Sequence, residues 1–209
     1  MKIGHWVPAY NEQVHSCLIG QIALDATACA QAGHSWRFWS THSCDLVWSR
    51  NNSLDKALHI GLDYLFCQDS DVYSPVDGGP LIRMLETAIA TEATIVSPIV
   101  SLRTRPIRAN VWPVLVGEKY EADKVGSGMI LIDLNRVREW YSRHESPCFS
   151  RTYDDPKGIV QHVGMDIFFS YVVRQYGGRI VVDGTLPTVH VDQTAKYDYD
   201  GSSIPDSAG

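Results

Sequence analysis

The sequence predicts an α/β fold in which three layers form around a mostly parallel central sheet. Short apolar runs of strand length alternate with longer segments whose apolar residues recur at helical spacing. Such alternation is typical of parallel strands joined by helices. The chain has 209 residues, of which 44% are hydrophobic and 20% charged, as expected for one ordinary globular domain that buries a sizeable core.

The amino-terminal half is predicted to begin with a strand over residues 2–7 that ends at Pro8. A helix follows over 14–32, with Leu18, Ile22, Ala26 and Cys29 on one face and a stop at Gly33. The next predicted elements are a strand at 35–40, a helix at 52–61, an apolar strand at 64–67 and a helix at 78–91.

The carboxy-terminal half continues the alternation. We predict strands at 93–100, 128–134 and 179–183, a helix ending near Tyr141, and an amphipathic helix at 165–176 that stops at Gly177. Residues 101–125 and 144–163 are irregular, and Pro106 and Pro113 fit loops or edge strands. We therefore expect one domain over residues 1–192, followed by a flexible polar tail over 193–209.

Composition indicates the cellular compartment of the protein and the kinds of partner that it does not favour. The five cysteines are odd in number and form no CxxC pair, which favours free thiols in a reducing, cytoplasmic compartment over a zinc ribbon or disulfides. No apolar run is long enough to span a membrane, and the first residues do not resemble a signal peptide. The net charge of −6 argues against a globally cationic surface for nucleic acid, although a local basic patch remains compatible with it.

Paired carboxylates give the strongest local signal of chemistry. Asp69 and Asp71 flank Ser70 directly after the apolar strand YLFC, and ligands of α/β sheets bind beyond the carboxyl ends of strands. This pair suits Mg²⁺ or Mn²⁺, which in turn can hold phosphates. The alternative is an acidic turn that caps the next helix.

Two further residues could complete such a site. Asp166 falls in the first turn of the predicted helix at 165–176, where the helix dipole stabilises an anion, although an aspartate at a helix start is also common for structural reasons. His190 follows the last predicted strand and either is structural or joins the carboxylates as a Mn²⁺ ligand. Gly126-Ser127-Gly128 precedes a strand, so it is a turn or a close approach to a ligand rather than a dinucleotide fingerprint.

These segments, in this order, resemble GT-A-type (Rossmann-like) glycosyltransferases, particularly the inverting family-2-like group and its compact viral or phage branch. The matching segments are VPAYNE at 7–12, SRN at 49–51, LFCQDSDVYSP at 65–75, GSGM at 126–129, GMDIFF at 164–169 and GGRIVVDGTLPTVHV at 177–191. The likeness covers residues 2–192. Met165 departs from the pattern, since the family usually has an acidic residue before the aspartate corresponding to Asp166.

The resemblance implies a role for each matching residue. Asp69, Asp71 and His190 would bind Mn²⁺ or Mg²⁺ on the diphosphate of a nucleotide-sugar, a UDP-sugar being the commonest donor. Asp166 would be the general base that deprotonates an acceptor hydroxyl, with inversion at the anomeric carbon. The remaining contacts to the nucleotide would come from Pro8, Tyr10, Asn11, Arg50, Asn51, Asp69, Ser70 and Gly128.

The viral branch suggests an acceptor, because phage enzymes of this kind often modify hydroxymethylated pyrimidines in DNA. Arg103, Arg105 and Arg108 lie close to Trp112, and such a set suits phosphates and a flipped base. The same arginines equally fit a solvated loop or the donor diphosphate. Saccharide, lipid-linked and protein hydroxyls are the other acceptors.

Other classes share parts of this pattern. A nucleotidyltransferase usually has a Gly-rich basic loop where this chain has PAYNEQ, and a haloacid-dehalogenase-like phosphatase carries DxD on its first strand. A non-catalytic sugar-nucleotide-binding module would keep Asp69 and Asp71 and would not need Asp166. Lys196, Tyr197 and Tyr199 could close over the donor as a lid or belong to a disordered terminus. The oligomeric state is left open.

Overall fold

A computed structural model of the chain describes most of its residues. The described residues are 1–9, 14–43, 45–102, 108–144, 147–154, 160–162, 164–191 and 196–198. Five helices lie in these ranges: α1 (Ser16–Gln31), α2 (Leu46–His59), α3 (Pro80–Thr91), α4 (Leu134–Tyr141) and α5 (Met165–Gln175).

Twelve strands accompany these helices in the same ranges. They are β1 (Lys2–Pro8), β2 (Ser35–Thr41), β3 (Tyr64–Gln68), β4 (Val72–Tyr73), β5 (Ile95–Pro98), β6 (Lys119–Glu121), β7 (Met129–Asp133), β8 (Thr152–Asp154), β9 (Val160–His162), β10 (Ile180–Asp183), β11 (Val189–Val191) and β12 (Lys196–Asp198).

The central sheet has seven strands in the order β2-β1-β3-β7-β5-β10-β6. Strands β2, β1, β3, β5 and β10 run in one direction, while β7 and the edge strand β6 run against them. The predicted α/β fold with a mostly parallel sheet is therefore confirmed. The reversal of β7, in the middle of the sheet, was not predicted.

Alternate residues of the strands supply two separate cores. Along β7, Ile130 and Ile132 face one core, and Met129 and Leu131 face the other. The first core is completed by α2, α4 and α5, and the second by α1 and α3. Burial on both faces explains why these strands are apolar throughout, and it confirms the three layers.

Helix α2 begins at Leu46, earlier than the predicted start at residue 52. The Asp45 side chain accepts hydrogen bonds from the backbone N–H groups of Val47 and Trp48, so it caps a first turn that the apolar spacing does not reveal. As a consequence, Arg50 and Asn51 lie within a helix rather than in a loop before it.

Three regions predicted to lack regular structure contain short strands. Strand β6 lies within the segment 101–125 and pairs with β10 at the edge of the central sheet. Strands β8 and β9 pair within the segment 144–163, and β12, which lies inside the segment predicted as a flexible tail, pairs with β11. Strand β11 also pairs with β4, which makes a second sheet of three short strands, β12-β11-β4. This small sheet joins the turn after β3 to the carboxy-terminal part of the chain. None of the helices in the described ranges is both long and apolar enough to cross a bilayer.

Candidate functional site

The candidate site lies at the edge of the sheet where β1 and β3 end. Asp69 follows β3 directly, and its backbone N–H donates to the carbonyl of Gly128 at 2.8 Å. Because β7 is antiparallel to β3, the turn that precedes β7 meets the carboxyl end of β3. A Cβ on Gly128 would lie at an ordinary contact distance of 3.8 Å from Asp69 Oδ2 and at a tighter 3.2 Å from Val100, so the packing of Val100 favours glycine here.

Arg50 holds the first carboxylate of the site. Its Nη2 donates to Asp69 Oδ1 at 2.7 Å, its Nη1 donates to the carbonyl of Ser127 at 3.4 Å, and the guanidinium lies 5.6 Å from the centre of the Trp6 ring. Arg50 is only 2% exposed. Burial raises the pKa of Asp69 above its usual value, an effect that Arg50 opposes and the nearby Asp71 carboxylate reinforces.

His190 faces the second carboxylate. Its Nδ1 lies 2.7 Å from the carbonyl oxygen of Ser101, which can only accept a hydrogen bond, so Nδ1 carries a proton. The other ring nitrogen, Nε2, lies 3.4 Å from Asp71 Oδ1. Histidines that ligate metals commonly donate their other ring N–H to a backbone carbonyl in this way, which leaves Nε2 of His190 as the nitrogen that could ligate.

The three predicted metal ligands do not form a complete ligand cluster as they stand. Within the part of the chain that the structure describes, no group of three or more His, Cys, Asp or Glu side chains is gathered to hold a metal ion. Asp69 is engaged by Arg50, which leaves Asp71 and His190 as the adjacent pair. One carboxylate and one imidazole fit Mn²⁺ when a ligand supplies further oxygen atoms.

Asp166 lies at the start of α5 and reaches the same turn. Its Oδ2 accepts from the Ser127 N–H at 3.1 Å, and its Oδ1 accepts from the Ile167 N–H at 2.9 Å. A Cβ on Gly126 would lie 3.2 Å from Asp166 Oδ2, so that glycine permits the approach. Asp166 is close enough to Asp69 for its charge to raise the pKa of Asp69 further. The structure thus brings Asp69 and Asp166 to one turn.

Several predicted site residues have other placements. Pro8 is buried at the end of β1, and Ser70 accepts a hydrogen bond from the backbone of His15 at 3.2 Å. The amide of Asn51 bonds the backbone of Val47 and Phe149, so it fastens α2 to the segment after α4. Arg108 is exposed and Trp112 is 58% exposed. Tyr10, Asn11, Arg103, Arg105 and Tyr199 lie outside the described residues, whereas Lys196 and Tyr197 belong to β12.

Sequence reasoning missed residues that orient the site through their backbone or from a buried position. Ser101 fixes the His190 ring through its carbonyl, so its side chain does not signal the role. The Gly126-Ser127-Gly128 turn was predicted as a turn or a close approach to a ligand, but the contact of the Ser127 N–H with Asp166 was not predicted. Asn110 accepts from the Val100 N–H at 2.8 Å and donates to the Gly126 carbonyl at 3.2 Å, which fixes the turn beside Asp166. Gln68 is a polar residue at the buried end of an apolar strand, and that contrast is a signal in the sequence for its role.

Comparison with known proteins relates the fold to solved structures. The chain is similar to the crystal structure of A197 from STIV, with a TM-score of 0.62 and 17% identity over 92% of this chain and 87% of that one. A glycosyltransferase involved in the glycosylation of the major capsid of PBCV-1 matches at a TM-score of 0.49 and 13% identity, over 92% and 94% of the two chains. No family model and no curated protein matches. At these identities, the likeness to A197 shows a shared fold.

Proposed function

We propose that the protein is a metal-dependent glycosyltransferase that moves a sugar from a nucleotide-sugar to an acceptor hydroxyl. The observation that carries the proposal is the meeting of Asp69, Asp71 and Asp166 with Arg50 and His190 at the carboxyl edge of an α/β sheet. The order of sequence motifs that resemble family-2-like glycosyltransferases supports the same reading.

Asp71 and His190 would hold Mn²⁺ or Mg²⁺. Asp69 would face the donor while its ion pair with Arg50 holds it in place. When bound, the cation supplies Lewis-acid assistance to departure of the nucleoside diphosphate. Arg50 compensates part of the negative charge that Asp69, Asp71 and Asp166 concentrate in one place. That compensation allows a diphosphate to approach a site that is otherwise rich in carboxylates.

Asp166 would act as the general base. The acceptor oxygen attacks the anomeric carbon, the bond from that carbon to the diphosphate oxygen breaks, and Asp166 takes the hydroxyl proton. The N–H groups of Ser127 and Ile167 keep the carboxylate in one orientation throughout. Attack from the face opposite the leaving group predicts inversion at that carbon.

The rest of the donor site is proposed on the resemblance. Pro8, Tyr10, Asn11, Arg50, Asn51, Ser70 and Gly128 would surround the nucleotide, and uridine is the expected base. For Asn51 the role would be indirect, because its amide already bonds the Val47 and Phe149 backbone.

A hydroxymethylated pyrimidine in DNA is the acceptor that we propose first. Trp112 and Arg108 are exposed on the segment that passes Asn110, the residue beside the Gly126 turn and Asp166. An exposed indole suits stacking on a flipped base, and cations near it suit phosphates. Saccharides, lipid-linked sugars and protein hydroxyls are the acceptors to screen beside DNA.

The donor site is tested by thermal unfolding with UDP, GDP, CDP or TDP, each with Mn²⁺ or with EDTA. Binding to the native state raises the melting temperature by mass action, and we expect a rise for one nucleotide that EDTA removes. Asp71→Asn should abolish that rise, whereas Asp77→Asn, the same change at an exposed position nearby, should keep it. Absence of any rise in the wild-type protein would refute the proposed function and bring phosphatase assays forward.

The catalytic role is tested with Asp166→Asn. We expect this variant to keep the nucleotide-dependent rise in melting temperature and to lose sugar transfer by about 10²-fold or more, since the amide cannot take a proton. Transfer at the wild-type rate would mean that Asp166 is not the base. A protein that binds the nucleotide-sugar and transfers nothing, with Asp166 present, would instead be a binding module.

A further inference from the structure

Four buried polar side chains lie behind the turn that carries Asp69 and Asp71. They are His5 on β1, Gln21 and Asp25 on α1, and Gln68 at the end of β3, and none is more than 3% exposed. Polar groups removed from water in this way cost free energy unless each finds a hydrogen-bonding partner. Their partners therefore indicate what the group holds in place.

Gln68 is oriented by its neighbours. The carbonyl of Val72 can only accept, so the group 2.6 Å from it is the Gln68 amide nitrogen. The Gln68 amide oxygen then receives hydrogen bonds from Gln21 Nε2 at 2.9 Å and from His5 Nε2 at 3.0 Å. The side chain thus bridges from β1 and α1 to the far end of the Asp69–Asp71 turn.

Gln21 holds the same segment at a second point. Its amide oxygen accepts from the backbone N–H of Ser74 at 2.6 Å, while its nitrogen lies 3.2 Å from Asp25 Oδ2. The carbonyl of Val72 and the N–H of Ser74 are consequently both bonded by buried glutamine amides. One attachment is at the first residue of β4, and the other is at the residue that follows this strand.

The segment that the glutamines hold is also the segment that contacts the His190 strand. Strand β4 pairs with β11, the Val191 N–H donates to the Asp71 carbonyl at 2.8 Å, and the Ser74 hydroxyl donates to the Pro187 carbonyl at 2.6 Å. The 3.4 Å separation of Asp71 and His190 therefore depends on where β4 lies.

We infer that Gln68, itself oriented by Gln21, is a positioning residue that fixes the Asp69–Asp71 turn and so sets the Asp71–His190 pair. That the pair binds a cation rests on the proposed function; that the glutamines hold the turn does not. Gln68 therefore differs from an ordinary buried residue, because its loss should loosen one turn rather than the whole protein.

Amide hydrogen exchange tests the holding of the turn in Gln68→Met, a variant of similar length without hydrogen-bonding groups. We expect the amides of Val72, Ser74 and Val191 to exchange roughly tenfold faster, the factor that one lost buried hydrogen bond commonly makes. The matched control is Thr87→Val, which removes the buried hydrogen bond from Thr87 to Asp183 and the one that Thr87 accepts from Lys119, and which should leave those three amides unchanged. Exchange that is unchanged at the turn, or equally faster in β5 and β10, would overturn the inference.

Mn²⁺ titration in the presence of the nucleoside diphosphate that raises the melting temperature, whose phosphates supply the further oxygen atoms, tests the link to the Asp71–His190 pair. We expect the dissociation constant for Mn²⁺ to rise about tenfold in Gln68→Met and to stay at the wild-type value in Thr87→Val. A looser turn with unchanged Mn²⁺ affinity would overturn the positioning role. Should the wild-type protein bind no Mn²⁺, the proposed function fails, and the exchange experiment alone decides whether the glutamines hold the turn. If Gln68→Met does not fold, Gln21→Met replaces it, and faster exchange at Val191, whose N–H bonds the Asp71 carbonyl rather than a glutamine, is then the deciding result.

Discussion

At the scale of single residues, His5 and Asp25 are buried side by side and have pKa values displaced in opposite directions. Burial raises the pKa of Asp25 to about 7, although hydrogen bonds from Leu81 and Gln21 oppose the rise. Burial lowers the pKa of His5 to about 3, with the Gln68 contact opposing the fall. His5 Nδ1 and Asp25 Oδ2 are 4.0 Å apart. Both groups therefore favour their neutral forms in the folded protein.

The two displacements have opposite effects on stability. Protonated Asp25 favours folding, so its contribution is complete below the unfolded pKa near 4 and is lost as pH rises towards 7. Neutral His5 favours folding, so its contribution is complete above pH 6.5 and is lost as pH falls towards 3. Between about pH 4 and 6.5 the two contributions offset each other.

Replacing Asp25 by asparagine should remove the pH-dependent contribution of Asp25 to stability and leave that of His5. The free energy of unfolding of the wild type, minus that of Asp25→Asn, should fall by on the order of 3 kcal/mol from pH 4 to pH 7. Urea unfolding of both proteins across this range measures the difference, to which His5 contributes equally in each. The exposed change Asp77→Asn is the control. A difference that does not vary with pH would show that Asp25 titrates normally.

At the scale of elements, α3 begins with a cap that comes from another helix. Gly79 precedes Pro80 and has no side chain to cap, and Asp25 Oδ1 on α1 accepts from the Leu81 N–H at 3.1 Å. The backbone of Gly79 has φ of +81°, and a Cβ there would lie 2.2 Å from Asp25 Oδ1. Glycine is thus required twice, for the left-handed backbone and for the approach of the carboxylate.

Two neighbouring alanine variants separate those requirements. Gly78 has φ of +78° and open space around its Cβ position, so Gly78→Ala should cost about 1 kcal/mol of stability through backbone strain. Gly79→Ala adds the collision with Asp25 and should cost about 3 kcal/mol. Chemical denaturation measures both. Equal losses would mean that Asp25 moves aside freely, and the cap is then unimportant for α3.

The sequence predicted well the elements that are marked by a local pattern of apolar residues. It predicted less well the features that depend on contacts with other parts of the chain or on a capping side chain. Apolar runs located β1, β3, β5, β7 and β10, because burial on two faces leaves a continuous apolar run. The direction of β7 leaves no such mark, since an antiparallel strand buried on both faces has the same composition. Helix α2 was predicted too short because its first turn depends on the Asp45 cap rather than on apolar spacing.

The same limit applies to the site. Asp69, Asp71, Asp166 and His190 could be grouped because each stands next to a predicted strand or helix, and ends of such elements meet at one edge. The hydrogen bond from the Asn51 amide to the Phe149 carbonyl joins residues 98 apart in sequence, so it could not be predicted from spacing. Nor could the ion pair of Arg50 with Asp69, which depends on the position of α2 against β3.

At the scale of the whole molecule, β7 lies at the centre of the sheet and between the two cores. It pairs with β3 on one side and β5 on the other, and every one of its residues is buried. In native-state hydrogen exchange, the amides of β7 should therefore exchange only through global unfolding. Amides of the edge strands β2 and β6 should exchange through local openings of lower free energy. Equal protection of β2 and β7 would contradict this order.

The small sheet of β4 and β11 has a consequence for synthesis of the protein. Ser74 and Pro187 are bonded across 113 residues of sequence, and Asp71 meets His190 through the same pairing. A nascent chain can build β1, β3, β5 and β7 well before residue 189 leaves the ribosome, but it cannot yet bring these two side chains together. Ribosome-bound chains arrested before β11 should accordingly be folded over much of the sheet and still lack the Asp71–His190 pair, which forms after most of the fold.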